Sequence, residues 1–360
     1  MKNLNIAAWM DDDFLEDMPF KELLSPSERI GDGHPDNRGD CFAANRLLSK
    51  KLNELGHKIH TQDFYIERNI VPDLVIYFDI PTVKTKERIN FWPNIKKILI
   101  IQECEVIRPT NWIDNTKKNF DVIFTWNNQL VDNKSFFWFP TIHGYKQTEL
   151  PIKTGISHKI KLATLISSNK VSTHKLELYS ERKKVIDWYY KNAFDDFDLY
   201  GYDWDKIVIR KPRPLKIINR LKIKRKNFKI EYKFYKGEIL DKRKTLEKYK
   251  FCYAFENAID IDGYITEKIF DCFIAGTIPI YLGSNSINKL VPEDCFINAR
   301  NFKSIDQIHS YIDRLNVNEY LCMQNNISEF LNTEISMNFT DVGYVNKILP
   351  KILAISNEIK

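Results

Sequence analysis

Short apolar runs, each too brief for a helix, recur along the chain and alternate with stretches whose apolar residues fall at helical spacing. Leu4–Trp9, Lys58–Thr61, Leu74–Phe78 (LVIYF), Ile98–Ile101 (ILII) and Asp121–Thr125 (DVIFT) read as strands. A wholly apolar run such as ILII suits a parallel strand buried on both faces. Cys41–Leu55 has the spacing of an amphipathic helix and is closed by Gly56, a residue suited to the position after a helix. The second half repeats this grammar. Lys161–Ser167, Asp198–Tyr200, Phe251–Phe255 and Ile278–Leu282 are strand-like; Ser180–Tyr190, Thr266–Ala275 and Ile305–Leu315 are helical, and Thr245–Lys250 closes a further helix. Such alternation predicts parallel sheets with helices on both faces. At 360 residues the chain exceeds one small core. Pro151 and Gly155 punctuate a polar stretch at Thr148–Ser157. The expectation is an α/β protein of two doubly wound, Rossmann-like domains facing a central cleft, over 1–155 and 156–335, with a helical tail at 336–360.

Composition excludes several classes. Hydrophobic residues at 43% and charged residues at 28% argue against disorder. No apolar stretch approaches the length needed to span a bilayer. The N-terminus runs from Met1 to Trp9 straight into Asp11-Asp12-Asp13, too short and acidic for a signal peptide, so a cytoplasmic protein is expected. The six cysteines (Cys41, Cys104, Cys252, Cys272, Cys295 and Cys322) form no C-x-x-C pair and no Cys/His cluster; those in apolar runs read as core. His34, His60, His143 and His174 lack metal-ligand spacing and receive no role. The net charge of +6 is concentrated in Lys206–Lys250, which also carries Phe228, Tyr232, Phe234 and Tyr235. That segment suits an anionic partner, or is simply a solvated basic face.

The most informative stretch is FCYAFENAIDIDGYITEKIFDCFIAGTIPIYLG, from Phe251 to Gly283. An apolar strand ends in Glu256 and Asn257, and ligands of open α/β sheets bind beyond the carboxyl ends of strands. Thr266 then suits an N-cap, with Glu267 and Lys268 in the first turn and Ile269, Phe270, Phe273 and Ile274 as the buried face. Free N–H groups and the dipole make such a helix start a phosphate site, and Lys268 adds a formal charge. Glu267 can accept paired hydrogen bonds from sugar hydroxyls. As a bare E-K pair these residues would more often be dipole complement and solvated surface; the surrounding pattern distinguishes them.

This stretch resembles the donor-binding motif of the α-1,3/4-fucosyltransferase family, which runs F-x-x-x-F-E-N-S, then Y-[VI]-T-E-K, then A-G-x-[IV]-P-[IV]-x-x-G. The continuation CFINARNF is similar to the family's S-F-I-x-x-x-x-F ending. Leu178–Arg182 with Asp198–Gly201, and Tyr235-Lys236-Gly237, resemble further landmarks, and a looser likeness covers most of 35–315. Ala258 departs from the family's serine, and the loop Ala258–Gly263 differs in length from some members.

The resemblance implies a GT-B fold and inverting, metal-independent transfer of fucose from GDP-fucose to a glycan hydroxyl, with no cofactor beyond that donor. It also implies donor binding by the C-terminal domain and acceptor binding by the N-terminal one. It assigns Lys268 and Arg182 to the diphosphate, Asn257, Tyr264 and Glu267 to the nucleotide or donor sugar, and Tyr235 to the same donor side. The general base falls on Glu103, just after Ile98–Ile101, with Glu105 as runner-up. Asp260-Ile261-Asp262 fits the D-x-D pattern of metal-dependent transferases but reads as loop. Trp126 reads as a sugar-stacking surface or, more often for a large aromatic, as core. Alternatives remain. One is the same fold using another nucleotide deoxysugar. Another is a basic nucleic-acid-binding protein working through Lys206–Lys250, which would bind in a salt-sensitive way that a transferase does not need. A third is a glycoside hydrolase on Glu103 and Glu105, which leaves the phosphate-adapted helix unexplained. The implied partners are a nucleotide sugar and a glycan or glycolipid, not nucleic acid, with the basic segment as a peripheral membrane contact.

Overall fold

In the first half, strands β1 (Asn5–Trp9), β2 (Lys58–Thr61), β3 (Leu74–Phe78), β4 (Lys96–Ile100), β5 (Val122–Thr125) and β6 (Phe136–Trp138) form one sheet in the order β2-β1-β3-β4-β5-β6. Every pairing is parallel. The computed structural model describes residues 3–10, 43–141, 152, 155–206 and 232–358. Expectations for Asp11–Asp13, His34, Cys41, His143, Thr148–Pro151 and most of the basic run, 207–231, lie outside these residues.

Alternation of side chains across the pleat explains the apolar strands. Ile6, Ala8, Leu74, Ile76, Ile98 and Ile100 enter one core with Leu48 and Leu52 of helix α1 (Ala43–Glu54). Ala7, Trp9, Val75, Tyr77, Leu99 and Ile101 enter the core on the opposite face. Both faces are therefore covered, as the ILII run predicts.

The second sheet contains β7 (Lys161–Ile166), β8 (Phe197–Tyr200), β9 (Tyr249–Phe255), β10 (Ile278–Leu282) and β11 (Ile297–Asn298), ordered β11-β10-β9-β7-β8 and all parallel. Its helices include α2 (Tyr179–Asn192), α3 (Glu267–Ile274), α4 (Ile305–Arg314) and α5 (Val317–Leu331). The chain then ends in α6 (Asp341–Glu358), whose Tyr344, Val345, Ile348, Ile352 and Ile355 close the first core.

Contacts divide the chain into two compact units. The first comprises Met1–Thr148, Ile261–Glu267 and Glu334–Lys360; the second comprises Glu149–Asp260 and Lys268–Thr333. Both sheets reverse strand order beside their first strand, between β1 and β3 and between β7 and β9. Doubly wound folds bind ligands outside the carboxyl ends of strands at such reversals.

One local expectation needs correction. The helix expected to close over Thr245–Lys250 ends at Leu246, and Tyr249 and Lys250 already belong to β9. Tyr249 pairs with Lys161 of β7, and its hydroxyl donates to buried Asp198 at 2.7 Å, so sheet contacts override the local helical pattern. Strands β6 and β11, of three and two residues, carry too few side chains for a periodic signal. Cys104, Cys252, Cys272 and Cys295 are buried free thiols, whereas Cys322 is exposed. No helix among the described residues is long and apolar enough to cross a membrane.

Candidate active-site residues

In the first unit, Glu103 lies three residues beyond β4, and its main chain is fixed on both sides. Asp79, the residue after β3, is 5% exposed and adopts φ +63°, a conformation few non-glycine residues take. Its Oδ1 accepts from the N–H of Gln102 at 2.7 Å, the N–H of Glu103 at 3.2 Å and the Asn111 amide at 2.7 Å. Arg108 Nε stands 3.6 Å from Asp79 Oδ2. Burial pushes the Asp79 carboxyl up, and Arg108 and these three donors pull it partly back. The Glu103 carbonyl accepts from Asn111 at 3.0 Å and from the Trp112 indole at 3.3 Å.

The Glu103 side chain has its own partner. Tyr264 donates its hydroxyl to Glu103 Oε2 at 3.1 Å. Tyr264 is 1% exposed, with its ring centroid 5.0 Å from that of Trp126. Trp126 is fully buried and donates its indole N–H to the Gln102 carbonyl at 3.1 Å, so it is core and not a sugar-stacking surface. At Gly263, φ is +76° and a Cβ would lie 2.3 Å from the Trp126 carbonyl oxygen, so only glycine lets this loop approach. The Cys104 thiol is pushed up to about 11, first by burial and then by the Glu103 charge. Glu105 sits instead in the turn after Cys104, where the N–H groups of Ile107 and Arg108 return to the Cys104 carbonyl.

In the second unit, the end of β9 is organised around charge. Glu256 is fully buried, and Lys268 Nζ, in the first turn of α3, lies 3.3 Å from its Oε2. Removing one partner of such a buried pair generally costs about 3–5 kcal/mol, because the other charge stays in a low-dielectric site. At Gly283, following β10, a Cβ would meet Glu256 Cγ and the Tyr281 hydroxyl at 2.5 Å, so the backbone itself walls this carboxylate. Tyr281 is held well above its usual range by burial first and by Glu256 second.

Arg182 on α2 is 5% exposed, and its Nη2 donates to the carbonyls of Phe255 and Glu256, both at 2.7 Å, and to Asn257 Oδ1 at 3.0 Å. The guanidinium thereby orients Asn257. The next residues are pinned by a bridge between Ala258 and Glu177. Asp260 pairs with Arg300 at 2.7 Å, and Arg300 also donates to the Gly283 carbonyl at 2.6 Å. Tyr235 donates to the Gly201 carbonyl at 2.7 Å, and burial first, then neighbouring acids, push its hydroxyl up to about 12.

Helix α3 begins at Glu267. Thr266 before it is buried, Glu267 and Lys268 are partly exposed, and Ile269 and Phe270 are buried; the Lys268 ammonium turns back onto the buried Glu256 carboxylate. The structure thus gathers Arg182, Asn257 and Lys268 around the end of β9, and Glu103 with Tyr264 beside β4. Sequence reasoning missed Asp79 and Arg300. Asp79 sits in no local motif, Arg300 falls on an unspecified position of the CFINARNF stretch, and each acts on a partner over twenty positions away. Among the described residues, no group of three or more His, Cys, Asp or Glu side chains could hold a metal ion.

Two parallel doubly wound sheets with this strand order define the class: the fold is that of the two-domain GT-B glycosyltransferases. An α1,3-fucosyltransferase crystallised with GDP superposes with a TM-score of 0.54 at 19% identity, covering 99% of this chain and 90% of that one. An Anabaena protein in complex with UDP-glucose superposes with a TM-score of 0.55 at 9% identity, covering 98% of this chain and all of the other. Residues 221–325 match the family model for the C-terminal part of glycosyltransferase family 10 (fucosyltransferase). Over 87 residues it is 41% identical to an α-(1,3)-fucosyltransferase of Helicobacter pylori, covering 24% of this chain and 18% of that protein. Over 79 residues it is 37% identical to the mouse 4-galactosyl-N-acetylglucosaminide 3-α-L-fucosyltransferase 9, covering 21% of this chain and 22% of the relative. These matches span about a fifth of the relatives' length.

Proposed function

We propose that the protein is an inverting glycosyltransferase that moves fucose from GDP-fucose to a hydroxyl of a glycan acceptor. The observation that carries this is Lys268, held by a buried carboxylate in the first turn of the helix that follows β9, within the family-matched stretch. In the proposed step an acceptor oxygen attacks the anomeric carbon while the bond from that carbon to the phosphate oxygen breaks. The electron pair leaves with GDP. Lys268, the α3 N–H groups and the positive field of Arg182 stabilise the charge growing on the leaving diphosphate. Asn257, Glu267 and Tyr235 are assigned to the donor side; Tyr264, which the resemblance also puts there, meets the Glu103 carboxylate, and Glu103 takes the acceptor proton.

We assign charge neutralisation to side chains and not to a divalent ion; the Asp260 carboxylate, which a D-x-D metal site would use, is already paired with Arg300. Donor binding is assigned to the C-terminal part of the chain and acceptor binding to the N-terminal part. A cytoplasmic enzyme is proposed, with the basic segment Lys206–Lys250 meeting an anionic membrane or glycolipid surface. Sedimentation with phosphatidylserine vesicles at low salt checks this contact, and unbound protein would remove it.

The deciding experiment is calorimetry with GDP-fucose beside other nucleotide deoxysugars, followed by transfer assays with and without chelator. GDP-fucose should bind best, and chelator should leave turnover intact. Preference for another nucleotide sugar would keep the fold and change the substrate. Tight, salt-sensitive binding of DNA without any nucleotide-sugar binding would overturn the transferase.

A further inference from the structure

We propose that Tyr264 is a positioning residue for Glu103, its hydroxyl fixing the carboxylate in the place from which it takes the acceptor proton. The inference rests on the assignment of Glu103 as general base. It goes beyond the family resemblance, which puts Tyr264 on the donor. The geometry is specific. The hydroxyl lies 3.1 Å from Glu103 Oε2, and the ring that carries it is 1% exposed. Four further contacts hold that ring and its loop in place. The Trp126 ring packs at 5.0 Å, and Gly263 passes over the Trp126 carbonyl. Thr141 donates its hydroxyl to the Ile265 carbonyl. The Trp126 indole then closes the circuit on Gln102, the residue before the base, at 3.1 Å. A hydroxyl so fixed cannot follow a wandering carboxylate, so the carboxylate must come to it.

The placement has a chemical consequence. A hydrogen bond donated to a carboxylate favours its charged form, which is the form a base must be in before the acceptor arrives. It also links two sites through the chain. Tyr264 belongs to Ile261–Glu267, the short segment that packs within the first unit, and that segment ends one residue before Lys268. The strand of chain that presents the proposed diphosphate cation therefore also presents the donor that holds the base.

Tyr264→Phe keeps the ring against Trp126 and removes one oxygen. Expected are a fall in kcat of about tenfold and a rise of about one unit in the acidic limb of the kcat/KM pH profile. GDP affinity by calorimetry should change less than about twofold, since the phosphate-facing turn is untouched. In a Glu103→Gln background, Tyr264→Phe should add nothing further. An unmoved pH profile with weakened GDP binding would overturn the proposal, as would unchanged kinetics throughout. If Tyr264→Phe does not yield folded protein, Thr141→Val, which unties the same loop, carries the test with the same expected shifts. Wild-type transfer by Glu103→Gln would instead refute the base assignment, a distinct outcome.

Discussion

Each sheet places a buried carboxylate on the residue that follows its third strand: Asp79 after β3 and Glu256 after β9. Both stand beside the reversal of strand order, and they are used in opposite ways. Asp79 accepts from three neutral N–H groups, with the Arg108 guanidinium 3.6 Å away, and thereby shapes the main chain that presents Glu103. Glu256 takes an ammonium and thereby anchors Lys268. The contrast follows from the chemistry assigned to each side. A base must be held where the acceptor arrives: a hydroxyl donates to the Glu103 carboxylate, and amide and indole donors fix its carbonyl. A cation that meets a diphosphate must keep its charge, and a buried carboxylate 3.3 Å away favours the protonated amine.

The comparison breaks most sharply at the two residues being held. Glu103→Gln should lower transfer by about 10²–10⁴-fold while GDP binding by calorimetry persists. Glu105→Gln should cost less than about threefold; the reverse order would move the base by two positions. Lys268→Ala should come next, lowering stability by about 3–5 kcal/mol in denaturant melts, because Glu256 is left buried without its ion. Pairing Lys268→Met with Glu256→Gln should recover most of that stability and none of the donor affinity. Recovery of both would mean that Lys268 serves packing alone.

The smallest effect sharpens the comparison through pH. Burial raises the folded-state pKa of Asp79 above its unfolded value. Its contribution to stability is therefore greatest below about pH 3.9, the unfolded value, and is lost as pH rises through the folded pKa. Asp79→Asn should remove that slope. Wild type minus variant stability, followed by urea titration from pH 3.5 to 7, should fall with rising pH. A flat difference would mean that the hydrogen bonds from Gln102, Glu103 and Asn111 fully offset burial.

The amino-acid sequence by itself determined the class of fold and the donor motif. LVIYF and ILII announce strands because strands buried on both faces must be apolar throughout, and the structure sets both in the first sheet. The polar pair Glu267-Lys268 ahead of Ile269-Phe270 announces a helix start because both the capping pattern and the buried face are local, within a few residues. What only the tertiary structure decided acts at long range. That Tyr264 reaches Glu103, that Asp79 holds the turn before it, that Lys268 is shared with Glu256, and that α6 returns to the first core are all contacts between residues distant in the chain. Periodicity and spacing report which face of an element is apolar; they carry no record of which carboxylate that face will meet when the strands are ordered.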